Sequence, residues 1–285
     1  MGLWNLSRTP FHRTLSSREG KDIIKEGYRR GIRYFDAAYS YGDAESLLSA
    51  AMRETGKDDW RVISKVMPVP TARRKAEATL RRLGRDHVDI LLLHWPSDDE
   101  TLFPTLRTLE KLKEEGKAGA IGVSNFPLTL LRRISSDFPV SFHERPLSLI
   151  WTRDWEEEKA LGLDTLAYAP LGMGILSGRY TRENAPDDSR SSLSALRSPI
   201  LPSLLEAIGN DAAIALSWVY GEKPFGVISG YSRKEDLDIL DRIVKLPENK
   251  REELRALAAA ITAEESSDNI FSHNWRGDAY TAGKS

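Results

Sequence analysis

The chain has 285 residues, a formal net charge of −1 and 40% hydrophobic residues, the composition of a soluble globular protein with one large or two small domains. A near-zero net charge argues against nucleic acid or an acidic membrane surface as partner, because both require a basic excess. The absence of cysteine excludes a thiol nucleophile, a disulfide scaffold and a thiolate metal site. No apolar run approaches the ~20 residues of a membrane span, and the start MGLWNL lacks a signal-peptide layout, so a cytoplasmic location is expected.

Helical patterns begin early in the chain, and each of the first three ends at a glycine. The first helix follows Ser16, which has the capping-box spacing with Glu19, and stops at Gly31. The second and third helices carry apolar residues at helical spacing and end before Gly56 and Gly84. Further helical patterns follow, and the one over residues 154–161 is the weakest.

Eight short apolar runs have the character of strands, counting MGLWNL as the first. The others are IRYFD, RVISKV, HVDILLLH, AGAIGV, PVSFH, DTLAYAP and FGVIS. Nearly continuous apolar character is typical of a parallel sheet covered on both faces, and eight strand–helix units favour a single-domain (β/α)8 (TIM) barrel over an open sheet. We predict one domain over residues 1–285, with an extra helix and tail over 246–285 and a long rim loop over 181–199.

Four ionisable side chains fall at neighbouring strand ends. Asp36 ends the second strand, Lys65 the third and His94 the fourth, and Tyr41 follows Asp36 by five positions. Each alone has an ordinary structural explanation, but in a TIM barrel the active site lies at the carboxyl ends of the strands. An ammonium group lowers the pKa of a nearby phenol, a carboxylate holds the ammonium, and histidine can orient a carbonyl oxygen. The set therefore predicts a site that delivers a proton.

The segments FDAAYSYG, VISKV, ILLLHWP, AGAIGVSNF, LAYAPLGMGILSG and VISGYSRKEDL resemble the aldo-keto reductase superfamily in order and spacing, over about residues 2–240. The resemblance implies a barrel that transfers hydride from a nicotinamide cofactor, NADPH rather than NADH, to an aldehyde or ketone, or runs in reverse as an alcohol or sugar dehydrogenase. It implies that Tyr41 is the general acid, that Lys65 lowers its pKa, that Asp36 pairs with Lys65, and that His94 orients the carbonyl.

The resemblance also implies a nicotinamide site. Ser124 and Asn125 would bind the amide, and Tyr168 would stack on the ring. Glu144 stands where the family usually has glutamine, and in an alternative register His143 takes that place.

The phosphate and adenosine contacts implied by the resemblance lie further along the chain. They are Leu171, Gly172 and Gly174 for the pyrophosphate, and Gly230, Ser232 and Arg233 for the 2′-phosphate region. Asp236 opposes a phosphate there. Ile239 and Leu240 replace the usual Glu–Asn pair that reads adenine, which weakens that contact. The GxGxxG fingerprint of an open dinucleotide-binding sheet is absent.

Aromatic residues match positions that wall the substrate pocket in the family, namely Trp4 and Trp95. Further candidates are Trp151, Phe271, Trp275 and Tyr280. These side chains suit many carbonyl compounds, so the substrate and the oligomeric state are not indicated. The hairpin that usually plugs the barrel floor in the family has no counterpart in MGLWNL.

Two other functional classes stay open. The first is a catalytically weak regulatory protein that binds the cofactor on the same fold, which the altered adenine site favours and the intact catalytic four oppose. The second is a Schiff-base lyase using Lys65 or a metal-dependent hydrolase. Because HExxH is absent and His94 and His143 make a poor ligand set, no metal site is predicted.

Overall fold

The computed structural model describes residues 1–7, 15–181, 184–187 and 189–264. These residues form two compact units. The first comprises 1–145, 156–168 and 225–240, and the second comprises 146–155, 169–224 and the described residues from 241 onward. The predicted tail aromatics Phe271, Trp275 and Tyr280 lie outside the described residues. Within the described residues, no helix has the length and apolar character needed to cross a membrane.

Seven strands form one parallel sheet in chain order. They are β1 (Tyr34–Asp36), β2 (Arg61–Val66), β3 (Val88–Leu93), β4 (Ala118–Ser124), β5 (Phe142–Pro146), β6 (Asp164–Tyr168) and β7 (Gly226–Ile228). Gly2 bridges in parallel to Asp36 on one side and to Gly230 on the other, so it joins the two edges of the sheet. The predicted (β/α)8 barrel is confirmed, with Gly2 in the place of the eighth strand.

The prediction that MGLWNL is a full strand is wrong beyond this bridge. Residues Trp4–Leu6 form a 3-10 turn, which Ser7 closes by donating its hydroxyl to the Trp4 carbonyl at 2.6 Å. Leu3 and Leu6 are buried. A short apolar run can therefore satisfy its burial in either conformation, and its periodicity cannot tell them apart.

The helices follow the predicted pattern. They are α1 (Ser17–Arg29), α2 (Ala44–Thr55), α3 (Ala72–Leu83), α4 (Asp99–Glu114), α5 (Leu128–Ile134), α6 (Trp155–Lys159), α7 (Leu201–Ala207), α8 (Ala212–Gly221) and α9 (Glu248–Glu264). The predicted capping box is present, with the Ser16 amide donating to Glu19 at 2.8 Å. Gly56 and Gly84 end their helices in the left-handed region, at φ 62° and 65°, where a side chain would be strained.

The Ser-rich stretch predicted as a loop over 181–199 contains local structure in its described part. Short 3-10 helices span Ser189–Ser192 and Ser194–Arg197. Leu193, Ala195 and Leu196 are buried within the second unit. The buried apolar residues thus give the described part of this polar stretch a defined local structure.

The interior of the barrel is filled by apolar side chains from five strands. They are Ile63, Ile90, Leu92, Phe142, Leu166 and Ile228. At the amino ends of the strands, the ring of Phe225 meets Phe142 and Tyr34 edge to face, at centroid distances of 5.0 and 5.5 Å. These layers leave the carboxyl ends of the strands as the polar end of the barrel interior.

Candidate active site

The four predicted catalytic residues come from three adjacent strand ends. Asp36 is the last residue of β1, Lys65 lies one residue before the end of β2, and His94 directly follows β3. Tyr41 lies in the turn after β1. The backbone fixes that turn, because the Tyr39 amide donates to the Lys65 carbonyl at 3.1 Å and the Tyr41 amide donates to the Ala38 carbonyl at 3.0 Å.

Lys65 is the centre of the group. Its side chain is fully buried, and its Nζ donates to Asp36 Oδ1 and, at 3.1 Å, to the Ala37 carbonyl. Glu144 Oε1 lies 3.3 Å from the same nitrogen, and Nζ is 5.1 Å from the Tyr41 ring centroid. Burial alone would lower the pKa of Lys65, but the charges of Asp36 and Glu144 raise it above its ordinary value. Lys65 is therefore cationic at neutral pH.

Tyr41 is half-buried and has a cation beside its ring. Burial raises the pKa of the Tyr41 hydroxyl well above its ordinary value, while the charge of Lys65 lowers it and those of Asp36 and Glu144 raise it further. The predicted effect of Lys65 has the expected sign, but it moderates the effect of burial and does not reverse it. Tyr41 therefore carries its proton at neutral pH.

His94 faces Tyr41 with its ring edge, at a centroid distance of 5.6 Å and an interplanar angle of 71°. Burial, with the charge of Lys65, lowers the pKa of His94 well below its ordinary value, so the imidazole is neutral. Its Nδ1 lies 3.4 Å from the Ser40 hydroxyl. Ser40 was not among the predicted site residues, although its place beside Tyr41 in the same turn is a usable signal.

Glu144 enters the same group from β5, where it pairs in register with Ser124 of β4. Its side chain is 4% exposed, and within the described residues its Oε2 has no hydrogen-bond partner. Burial and the charge of Asp36 raise the pKa of Glu144 to about 8, against the opposing effect of Lys65. Glu144, and not His143, is thus the inward residue of this strand.

His143 points the other way, as the two-residue alternation of a strand requires. Its Nδ1 lies 2.9 Å from Glu158 Oε2, and its Nε2 accepts the Phe126 amide at 3.3 Å. Because Nε2 accepts, Nδ1 must carry the ring hydrogen and donate it to Glu158. This pair holds the turn after β4, where Asn125 has φ 65°.

The residues predicted to bind nicotinamide meet one another at the ends of β4 and β6. The Asn125 side-chain amide donates to the His94 carbonyl at 3.1 Å and to Ser124 Oγ at 2.9 Å. Tyr168 donates its hydroxyl to Asn125 Oδ1 at 2.5 Å. Both amide hydrogens of Asn125 therefore have protein partners, and the Ser124 hydroxyl hydrogen is the donor that this group can offer to a ligand.

The predicted pyrophosphate segment lies in the second unit and has an unusual backbone. Gly172, Met173 and Gly174 have φ angles of 55°, 56° and 98° in succession. A Cβ at Gly172 would meet Ile150 Cδ1 at 2.6 Å. Packing inside the protein already requires glycine at this position, so glycine there is not by itself a sign of a phosphate. Leu171 precedes this run and is half-buried.

The predicted 2′-phosphate segment follows β7. A Cβ at Gly230 would meet Asn5 Oδ1 at 2.9 Å. The amides of Ser232 and Arg233 donate to Asp236 Oδ2 at 2.9 and 3.0 Å, and the Arg233 side chain is exposed and lies 3.3 Å from Asp236 Oδ1. A carboxylate of the chain thus accepts from two backbone amides of the segment predicted to hold the 2′-phosphate.

Ile239 and Leu240 end the same segment. Both are half-buried and pack on the hydrophobic core of the first unit. Their side chains have no group that can hydrogen-bond to adenine, and the weakened adenine contact stays a prediction.

The predicted substrate-wall residues Trp4 and Trp95 are both half-buried in the first unit. The Trp95 ring stacks on His94 at a centroid distance of 6.0 Å. Trp151 belongs to the second unit and is buried there, so its packing has an ordinary structural explanation.

Residues 1–261 match the model of the Aldo/keto reductase family. The chain belongs to this family. It is therefore an oxidoreductase that uses a nicotinamide cofactor on carbonyl or alcohol groups, as the resemblance predicted.

Relatives of this aldo/keto reductase include a probable aldo-keto reductase 1 from Glycine max, 30% identical over 209 residues, 66% of this chain and 59% of that protein. An NADH-specific methylglyoxal reductase from Escherichia coli is 26% identical over 67% of this chain and 68% of that protein. The solved glycerol dehydrogenase from Gluconobacter oxydans superposes with a TM-score of 0.79 at 22% identity, covering 93% of this chain and 92% of that one. At this identity the likeness concerns the fold.

Proposed function

We propose that this aldo/keto reductase reduces an aldehyde or ketone to the alcohol with NADPH, with Tyr41 as the proton donor. The observation that carries the proposal is the convergence of Tyr41, Lys65, Asp36 and His94 at three neighbouring strand ends. Burying an ion pair beside a phenol and a neutral imidazole costs folding free energy. A role in proton transfer explains why the fold contains such a pair.

Tyr41 keeps its proton at neutral pH and gives it to the carbonyl oxygen as negative charge develops there. The carbonyl carbon would receive its hydride from the nicotinamide cofactor when this is bound. The proton lost by Tyr41 leaves a phenolate, which the adjacent Lys65 ammonium stabilises. Asp36 keeps Lys65 charged and in place through their direct hydrogen bond.

His94 positions the carbonyl oxygen. A neutral imidazole has one N–H donor and one acceptor nitrogen. If the Ser40 hydroxyl donates to Nδ1, the N–H lies on Nε2 and is available to the substrate oxygen. The 3.4 Å separation of Ser40 Oγ and Nδ1 is long for a hydrogen bond, so Ser40 biases this tautomer weakly.

The nicotinamide end of the cofactor fits the chain better than the adenosine end. The Ser124 hydroxyl offers a donor and the half-buried ring of Tyr168 a stacking face. Glu144 Oε2, which has no hydrogen-bond partner among the described residues, offers an acceptor. Leu171, Gly172 and Gly174 remain the proposed pyrophosphate contacts. At the adenosine end, Ile239 and Leu240 can contribute packing alone.

The preference for NADPH is the finer part of the proposal. The exposed guanidinium of Arg233 supports it, since guanidinium groups suit phosphate, and Gly230 and Ser232 complete the proposed contact. Asp236 opposes it, and one relative is by its name NADH-specific. Dissociation constants for both cofactors, from quenching of tryptophan fluorescence, test the preference directly, and tighter binding of NADH would overturn it.

The activity is tested with a panel of aldehydes, ketones and alcohols, each with both cofactors, followed by nicotinamide absorbance. Turnover of at least one carbonyl compound is expected. A second candidate, a cofactor-binding regulatory protein, is favoured by the packing of Ile239 and Leu240 in place of adenine-binding side chains. Tight cofactor binding with no turnover of any compound would support that candidate. The cytoplasmic location remains a prediction.

A further inference from the structure

The side chains buried around Lys65 include two carboxyl groups and, among the described residues, one cationic group, that of Lys65 itself. Asp36, Glu144 and Lys65 are each 5% exposed or less at the side chain. Asp36 is hydrogen-bonded to Lys65, so these two charges cancel. Glu144 is a second acid on the same ammonium, and its Oε2 has no partner within the described residues. The fold thus holds, beside the proton donor, a carboxyl group whose ionisation plays no part in the reaction scheme above.

We propose that Glu144 is a positioning residue that sets the acidity of Tyr41 through Lys65, and that carbonyl reduction needs its carboxyl group neutral. This rests on the proposed function, in which Tyr41 donates the proton. With Glu144 neutral, the net charge of Asp36, Glu144 and Lys65 is zero, and Lys65 favours the forming phenolate. With Glu144 ionised, the net charge is −1 and the phenolate is disfavoured.

The groups that face Glu144 support this sign. Asp36 approaches from β1 and disfavours a second negative charge, Lys65 approaches from β2 and favours it, and the Tyr41 hydroxyl lies within the electrostatic reach of all three. The negative charge of Glu144 raises the pKa of Tyr41. The neighbours of Glu144 on its own strand, His143 and Arg145, bind Glu158 on the other face.

The sign gives a defined dependence on pH. As the pH rises through the pKa of Glu144, its carboxylate forms and Tyr41 becomes a weaker acid. The kcat/KM of carbonyl reduction should then fall about tenfold, the size expected for one unit charge acting at a few ångströms in a partly screened site. In Glu144→Gln, which keeps the shape and cannot ionise, the fall should be absent.

The experiment is the pH profile of kcat/KM for one good aldehyde, at saturating cofactor, between about pH 6 and pH 10. The variants are Glu144→Gln, Glu144→Asp, which keeps a titrating carboxyl and should keep a falling limb, and Glu222→Gln as control. Glu222 is a buried carboxylate bound by Trp155 and Arg251 in the second unit, and its variant should follow the wild-type profile. An unchanged profile in Glu144→Gln would overturn the proposal.

A second readout does not depend on turnover. Infrared difference spectra of the wild type minus Glu144→Gln should contain the C=O band of a neutral carboxylic acid near pH 6, and the band should vanish near pH 10. Absence of the band at both pH values would also overturn the proposal. If the band titrates and no carbonyl compound is reduced, the proposed reductase activity fails, and the role of Glu144 in that reaction fails with it. A titrating band together with a flat wild-type profile separates the two, because the reductase then stands and the tuning role does not.

Discussion

Two buried carboxyl groups in the first unit, Glu45 and Glu144, have opposite surroundings. Glu45 accepts from Ser64 Oγ at 2.9 Å, from Thr79 Oγ1 at 2.7 Å and from Arg82 Nη1 at 3.1 Å. Its charge is compensated and its oxygens are occupied. Glu144 shares one ammonium with another acid and leaves an oxygen without a partner in the described residues. A buried carboxylate whose charge and hydrogen bonds are fully matched is typical of a structural role. A buried carboxyl group whose charge is only partly matched is typical of a reactive site.

The two groups are also connected. Arg82, which binds Glu45, donates to the Tyr39 carbonyl at 3.1 Å and lies 4.2 Å from the Tyr39 ring centroid. Tyr39 belongs to the turn that carries Tyr41. The cluster around Glu45 therefore holds the backbone of the turn that carries Tyr41 to the cluster around Glu144.

The largest expected effect is in the reactive cluster. Tyr41→Phe should lower kcat for carbonyl reduction by about 10²–10⁴-fold, because the proton donor is lost, while cofactor still quenches tryptophan fluorescence. Tyr39→Phe is the matched control: its ring lies on Arg82, and it should retain most activity. Turnover by Tyr41→Phe at the wild-type rate would end the proposed mechanism.

The next effect is on stability. Lys65→Met leaves Asp36 and Glu144 buried without a cation, so the free energy of unfolding should fall by about 3 kcal/mol or more near pH 8. The loss should shrink near pH 5 as Glu144 takes up a proton. Urea denaturation at both pH values measures it. Lys117→Met, which removes only surface ion pairs, should cost under about 1 kcal/mol, and an equal loss in both variants would contradict the comparison.

Neutralising Glu45 and neutralising Glu144 should change the free energy of unfolding in opposite directions. Glu45→Gln should lower the free energy of unfolding by about 1–3 kcal/mol, because the amide nitrogen cannot accept from Arg82. The pKa of Glu144 is raised on folding, so the native state holds a proton that the unfolded state releases between about pH 4 and about pH 8. Wild-type stability therefore falls over that window.

Glu144→Gln removes this loss. It should gain roughly 4 kcal/mol over wild type near pH 8, with a smaller gain near pH 5. Urea denaturation of both Gln variants at the two pH values decides the matter. A loss of stability in Glu144→Gln near pH 8 would show that its charge is compensated after all.

The smallest effect concerns the segment after β7. Asp236→Asn keeps an oxygen that accepts the amides of Ser232 and Arg233 but removes the charge near the proposed 2′-phosphate. The dissociation constant for NADPH should fall about 2- to 5-fold, with that for NADH unchanged. Fluorescence titration with both cofactors measures the two constants, and a parallel change in both would place the effect elsewhere.

The sequence predicted what depends on periodicity and capping. The barrel, the capping box at Ser16 and the helix ends at Gly56 and Gly84 follow from local patterns. The strand ends at Asp36, Lys65 and His94 follow because parallel strands share one reactive edge.

What the sequence could not supply depends on contacts between distant residues. The inward direction of Glu144 over His143 depends on the pairing of β5 with β4. The rise in the pKa of Tyr41 depends on burial, which outweighs the nearby charge of Lys65. The turn at Trp4–Leu6 was missed because a short apolar run suits a strand equally well.

Backbone hydrogen bonds of the first three residues close the barrel at Gly2. The seam between β1 and β7 is spanned by the Gly2 amide donating to the Ser229 carbonyl, at 2.8 Å, and by the Leu3 amide donating to the Asp36 carbonyl, at 2.9 Å. The Asp36 amide donates in turn to the Met1 carbonyl at 2.8 Å. So narrow a seam should open before the longer ladders do. Exchange of the Asp36 amide with deuterium therefore reports local opening of the barrel wall at the residue that binds Lys65.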